Sequence, residues 1–191
     1  MTEKAFKHIL TVVMILSFSI VYGGELEKVS DFTLTDFDGK SHTLSELNTS
    51  KAIVIMFISA RCPVSNAYNE RMNLLFKDYT AKGVSFFAIN SNKQEDADEL
   101  KGHAEENNFK FAVLKDPGNK VADAYDAQVT PEIYVVNAKL DLFYHGRIDN
   151  SRREDEVESK DLRNALDEIL AGKSVNTPDT KAFGCSIKRV E

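Results

Sequence analysis

Cysteine is scarce in this chain: two of its 191 residues, Cys62 and Cys185. That is too few for a zinc ribbon and enough for one disulfide. Positive charge is also short, with 24 Lys+Arg against 30 Asp+Glu and a net charge of −6. An acidic chain without a basic stripe is poorly suited to nucleic acid or to an anionic membrane surface. The sequence carries no glycine-rich phosphate loop, paired-carboxylate or nucleotide signature, internal repeat or low-complexity segment. Neither a cofactor nor a resident metal is expected. What is present is ordinary globular material, 42% hydrophobic and 28% charged. It supplies a real core for one domain plus a short appendage, and it excludes disorder.

Residues 1–24 stand apart. Lys4, Lys7 and His8 form a basic start, and Ile9 to Val21 is a mostly apolar run broken by Thr11, Ser17 and Ser19. Small residues then close it at Val21-Tyr22-Gly23, the layout of a secretory signal peptide. As a helix the run rises about 20 Å, short of the ~30 Å hydrocarbon core of a bilayer. An uncleaved anchor is the alternative, and only that would bring a membrane contact. No cysteine follows the run, which argues against a lipid anchor. Export to the periplasm or the extracellular space places both thiols where disulfides form and persist.

The remainder alternates strands and helices. Phe32 to Asp36 and Ser41 to Leu44 flank Asp38-Gly39 as a hairpin. Ala52 to Ser59 is a continuous apolar run, the pattern of a strand buried on both faces. Tyr68, Met72, Leu75, Phe76 and Tyr79 share one helical stripe that ends at Gly83. Val84 to Ile89 reads as a strand, Glu95 to Asn107 as an acidic helix, Phe109 to Leu114 as a strand and Asn119 to Tyr125 as a short helix. Ile133 to Val136 and Leu142 to His145 form a strand pair, and a last helix runs from about Lys160 to Ala171 before Gly172. Arg152 to Asp161 is a solvated charge run. This order predicts an α/β domain over 25–172, with a mixed central sheet, helices on both faces and an N-terminal β-hairpin. Residues 173–191 form a C-terminal tail carrying Cys185.

The chemistry concentrates at Cys62, three residues beyond a buried strand and beside Pro63, which suits the first helical position. A thiol at a helix start faces unpaired N–H groups that stabilise thiolate, and Arg61 would add positive potential. Lowering a thiol pKa from about 8.5 to about 6.5 raises the thiolate fraction at pH 7 some 25-fold. Falling nucleophilicity cuts the net gain to roughly threefold, so the larger benefit is a better leaving group.

The segment Phe57-Ile-Ser-Ala-Arg-Cys-Pro-Val-Ser65 after a buried strand resembles the active-site segment of the thioredoxin-like superfamily. It is similar to the redoxin branch, which holds secreted TlpA-type thiol-disulfide oxidoreductases and the alkyl hydroperoxide reductase/thiol-specific antioxidant proteins. Phe32 to Leu47 resembles that branch's N-terminal hairpin, Val129-Thr130-Pro131-Glu132 the segment carrying its cis-proline, and Leu142 to Asp149 its closing strand. The resemblance implies a cis Thr130–Pro131 bond facing Cys62; Glu132, which follows the proline, reads either as a proton shuttle for Cys62 or as a surface carboxylate. It departs from the pattern where a second cysteine would stand, at Ser65. Ser59 matches the hydroxyl that peroxiredoxins carry three residues before the reactive cysteine. Ile55 breaks their proline, and Thr130-Pro131 stands where the peroxidatic arginine is expected, leaving Arg147 to supply charge.

By position Cys185 resembles the resolving cysteine of two-cysteine peroxiredoxins, closing on Cys62 within one chain or across a homodimer. Its alternative is a structural staple, worth roughly 4–5 kcal/mol on the chain-entropy model. His103 reads as a surface residue and Tyr68 as core. With a thiolate, His103 or His145 would permit copper binding as in Sco-like members. The expectation is an exported thiol-disulfide oxidoreductase acting on a thiol- or disulfide-containing protein or a small thiol. A thiol peroxidase acting on peroxide and a non-catalytic copper-binding module are the alternatives.

Overall fold

The computed structural model describes residues 27–190; the expected signal peptide over 1–24 lies outside them. Among the described residues, no helix is long and apolar enough to cross a membrane. The elements run β1 (Thr33–Asp36), β2 (Ser41–Thr43), β3 (Ala52–Phe57), α1 (Pro63–Asn66), α2 (Asn69–Thr80), β4 (Val84–Asn90), α3 (Ala97–Glu106), β5 (Ala112–Lys115), α4 (Lys120–Ala124), β6 (Val129–Thr130), β7 (Glu132–Val136), β8 (Leu142–Gly146), α5 (Asp161–Leu170) and β9 (Cys185–Ser186). Seven strands form one sheet in the order β2-β1-β5-β4-β3-β7-β8. β3 pairs parallel with β4, and β4 parallel with β5, whereas β7 pairs antiparallel with β3 and β8.

β3, between β4 and β7 inside the sheet, is buried along its whole length, and its alternation divides the core. Ala52, Val54 and Met56 face a layer with Tyr68, Met72, Leu75 and Tyr79, joined by Leu162, Ala165 and Leu166 of α5. Ile53, Ile55 and Phe57 face the opposite layer with Phe32, Leu44, Val121, Ala122, Tyr125 and Tyr134. Helices therefore cover both faces, as the strand–helix order implied.

The expected helix at Cys62 is divided: one turn, α1, then a break at Ala67–Tyr68, after which α2 carries the apolar stripe. The acidic helix starts two residues later than its composition suggested. Asp96 caps α3 by accepting the N–H of Glu99 at 2.9 Å, leaving Glu95 outside the helix and buried. The strand expected over Phe109 to Leu114 begins instead at Ala112.

The larger difference is at the C-terminus. Phe183 packs on one core layer and Ile187 is buried in the other, so the tail crosses an edge of the molecule. β9 pairs antiparallel with β6, with Thr130 opposite Cys185. These contacts come from single residues at wide spacing, so they leave no periodic signal in the sequence.

Candidate active site: two thiols at a proline loop

Cys62 sits where β3 has left the sheet and α1 has not begun. A buried carboxylate fixes the intervening turn. Glu95, 3% exposed, accepts from Ser59 Oγ at 2.6 Å, from the Ala60 N–H at 2.7 Å and from Asn90 Nδ2 at 2.7 Å. Ser59 Oγ in turn accepts the N–H groups of Cys62 and Arg61 at 3.0 and 3.2 Å. Ser65 Oγ accepts the Ser59 N–H at 3.2 Å, and Asn66 Nδ2 donates to the Ala60 carbonyl at 2.8 Å. The turn is thus bonded from three sides before any thiol chemistry.

Cys62 is the N-cap of α1, with Pro63 in the first helical position. Its Sγ accepts the Ser65 N–H at 3.3 Å and lies 3.4 Å from the Thr130 carbonyl, to which the thiol donates. Since α1 is a single turn, individual N–H groups act here rather than a long helix dipole. Cys62 is only 3% exposed. Burial pushes its pKa up, but hydrogen bonds from the Cys185 thiol, the Ser65 N–H, Thr130 and the Cys185 N–H together bring it below the ordinary thiol value. For Cys185, burial and the neighbouring Cys62 sulfur push the pKa up. Both cysteines are free thiols that meet at Thr130, the Cys62 sulfur on its carbonyl and Cys185 paired with it across β6–β9, one biased toward thiolate and the other toward thiol.

The Thr130–Pro131 bond is cis. Cys185 reaches this loop because Gly184 precedes it: a Cβ at Gly184 would collide with the Thr130 carbonyl oxygen. Further along the tail, the Ile187 N–H bonds the Gln128 carbonyl at 2.9 Å. Lys188 pairs with residues 92 and 93 through its backbone. The Val190 N–H reaches Asn119 Oδ1 at 2.7 Å.

Other expected site residues lie elsewhere. Arg61 points outward and binds both Glu99 oxygens at 2.7 and 2.6 Å, so its charge is engaged on α3. Arg147 pairs with Asp161 at the start of α5. Glu132 is not the surface carboxylate weighed against a proton shuttle: it is 4% exposed and bonds away from Cys62. One oxygen accepts the N–H groups of Gln128 and Val129 at 2.7 and 3.0 Å. The other lies 2.8 Å from His145 Nε2 and accepts from Tyr134 OH at 3.3 Å. Burial would raise its pKa, but His145 and the two N–H groups hold it below the usual carboxylate range.

His103, expected on the surface, is half-buried, and burial lowers its pKa. Its Nε2 lies 3.0 Å from Asn66 Oδ1 and 3.2 Å from Asn69 Nδ2. Two thiols are therefore brought together while both histidines are engaged with other partners. Among the described residues no cluster of three His, Cys, Asp or Glu could hold a metal ion. Glu95, Gly184 and Asp179, absent from the sequence-based set, carry much of the arrangement. Only Gly184, adjacent to a cysteine, had a visible signal.

A cis-proline loop opposite a cysteine at a helix start, on a mixed sheet of this order, defines a thioredoxin-like fold with a thiol pair. The sequence profile of the AhpC/TSA family matches residues 26–145, over half of the chain, and the chain belongs to that family. It is similar to the thiol-disulfide oxidoreductase ResA of Bacillus cereus, 26% identical over 111 residues, or 58% of this chain and 62% of that protein. The chain thus spans about three-fifths of the length of that curated relative. The crystal structure of an uncharacterized conserved protein from Geobacillus kaustophilus matches with a TM-score of 0.81 and 35% identity, covering 87% of this chain and 93% of the other. A thioredoxin-like protein from Bacteroides vulgatus shares the fold, with a TM-score of 0.60 and 22% identity over 76% of this chain and 88% of its own.

Proposed function

We propose that this protein is an exported thiol-disulfide oxidoreductase in which Cys62 is the nucleophile and Cys185 the resolving thiol. The observation that carries this is the meeting of two free thiols with oppositely shifted acidities at Thr130 of one cis-proline loop. With the tail lifted, the Cys62 thiolate attacks a partner disulfide, forming a mixed disulfide and releasing one partner thiolate. Cys185 loses its proton and attacks Cys62 Sγ, releasing the second partner thiolate and closing Cys62–Cys185. The partner gains two electrons and the pair loses two. In reverse, an incoming thiol meets Cys185 first, since it is the more exposed sulfur. Cys62, stabilised as thiolate, is the better leaving group. Partners of this chemistry are a disulfide- or thiol-bearing protein or a small thiol, outside the cytoplasm.

A second reading is supported by the 3% exposure of Cys62, which admits a small peroxide more readily than a polypeptide. The thiolate would attack one peroxide oxygen to give sulfenic acid, the other oxygen leaving as water or an alcohol after protonation, and the Cys185 thiol would condense with the sulfenic acid, releasing water and closing the disulfide. Both candidate arginines are engaged elsewhere, so thiol–disulfide exchange remains the primary reading.

The test is the reduction potential of the purified protein, by alkylation and mass spectrometry across a dithiol series. A Cys62–Cys185 bond titrating between about −120 and −270 mV is expected of an exchange catalyst. A bond intact below about −300 mV would mark a staple and remove the enzymatic reading. Cys185→Ser should accumulate the mixed disulfide at Cys62, whereas Cys62→Ser should form none. Peroxide consumption dependent on Cys62 would favour the second reading.

A further inference from the structure

His145 is engaged at both ring nitrogens by carboxylates from different parts of the chain. Nε2 lies 2.8 Å from Glu132 Oε1, and Nδ1 lies 3.0 Å from Asp179 Oδ2. Two carboxylate acceptors require a proton on each nitrogen, so this geometry fits the imidazolium and not either neutral tautomer. Glu132 holds the proline loop through the Gln128 and Val129 N–H groups, and Asp179 belongs to the tail that ends in β9. The backbone repeats the link: the His145 N–H donates to the Pro178 carbonyl at 2.8 Å, and the Thr180 N–H to the His145 carbonyl at 3.0 Å. The ring also stacks on Tyr134 at 4.5 Å. The charged groups facing it are Glu132 on β7 and Asp179 on the tail, and the remaining titratable neighbour is the Tyr134 phenol, which burial, Glu132, Asp126 and Tyr125 hold protonated.

We propose that His145 is a positioning residue for Cys185: its imidazolium clamps the tail to the proline loop and so holds the resolving thiol over Cys62. The clamp closes a ring of contacts from Cys62 through Thr130 and Glu132 to His145, Asp179 and back along the tail to Cys185. The inference rests on the exchange reading, because it concerns closure of the Cys62–Cys185 bond.

The pH sign follows from the pairing. The hydrogen bond to Glu132, opposed by burial and aided by Asp179, raises the His145 pKa above its ordinary value. The clamp's contribution is therefore complete below about pH 6.5 and is lost as pH rises through the higher folded-state value. The His145 side chain is partly exposed, so a modest effect of about fivefold is expected.

The experiment measures the equilibrium constant for closing Cys62–Cys185 against glutathione from about pH 5.5 to 9, corrected for thiol ionisation. Wild-type protein should lose about fivefold in closure across the His145 titration. His145→Gln should show the weaker closure at every pH, with a flat profile. His145→Arg, which keeps the charge, should restore closure and also be flat. Asp179→Asn, on an exposed part of the tail, gives a partial loss without threatening the fold. A His145→Gln profile that retains the wild-type pH dependence overturns the proposal, as does a lowered melting temperature with unchanged closure. If wild-type protein forms no Cys62–Cys185 bond at any pH, the exchange reading itself fails, and the clamp with it.

Discussion

The two cysteines stand in regions built on opposite principles. The Cys62 turn lies next to the most buried strand, and the hydroxyl and amide groups that shape it come from residues 59 to 66, with Glu95 and Asn90 supporting them. The Cys185 segment has almost no local structure of its own. It is held by partners more than fifty positions away, such as Thr130, Gln128, Asn92 and Asn119. The first region should keep its shape when the second is removed, whereas the second has no shape without the first. Such asymmetry suits the roles proposed for them, a nucleophile that must be preorganised and a resolving group that must be able to leave.

The strongest way to break this comparison is at Gly184. A side chain there collides with the Thr130 carbonyl, a backbone group that cannot give way easily. Gly184→Val is expected to lift β9, raise Cys62 alkylation by more than about tenfold and abolish fast closure with Cys185. The cost in global stability should stay near 1–3 kcal/mol, as for other local overpacking. Gly39→Ala is the control: its φ of +81° is strained for alanine but the space around it is open. It should lose about 1 kcal/mol and leave both thiols unchanged. Alkylation kinetics with a denaturant melt decide the matter. Unchanged Cys62 reactivity in Gly184→Val would show that the tail does not cover the nucleophile.

What could be read from sequence follows the same division. The hairpin around Gly39, the buried run from Ala52, the Tyr68–Tyr79 stripe and the final helix each carry a signal within a short stretch of sequence, and each forms close to its expected limits. Cys62 and Pro63 were visible because a motif is local. Glu95 was hidden, since one more acid at the head of an acidic helix looks like a solvated residue until the Asp96 cap turns it inward. Asp179 and His145 are also ordinary in sequence, and only the fold makes them neighbours. Contacts made by single residues across long separations carry no periodicity, and that describes the whole tail.

Ser59 tests whether shaping the turn and tuning the thiol are separable. Its hydroxyl bonds Glu95 and the Cys62 and Arg61 N–H groups, but the groups that lower the Cys62 pKa are Cys185, Ser65 and Thr130. Ser59→Ala should destabilise the fold by roughly 1–3 kcal/mol, the penalty of leaving buried partners unsatisfied. The Cys62 titration, followed by thiolate absorbance, should stay in place. Cys185→Ser should do the reverse: little effect on stability and an upward shift of the Cys62 midpoint. If Ser59→Ala moves the midpoint as far, the local turn sets acidity as well as shape, and the two regions are less distinct than their contacts indicate.

The smallest effect is expected at Arg61, the residue whose position beside Cys62 most invited an electrostatic role. Its side chain is 58% exposed and forks onto Glu99, also partly exposed, at the surface of α3. A solvent-screened pair of this kind contributes little to stability. Its positive charge is matched by a carboxylate, so little net field reaches the sulfur. Arg61→Ala should therefore change the Cys62 alkylation rate by less than about twofold at moderate salt. Glu99→Gln provides the sharper half of the test, because it frees the arginine without removing it. Should Glu99→Gln speed alkylation while Arg61→Ala slows it, the arginine does act on the thiol through space. Equal rates in both variants would leave hydrogen bonds from Cys185, Ser65 and Thr130 as the source of the lowered Cys62 pKa.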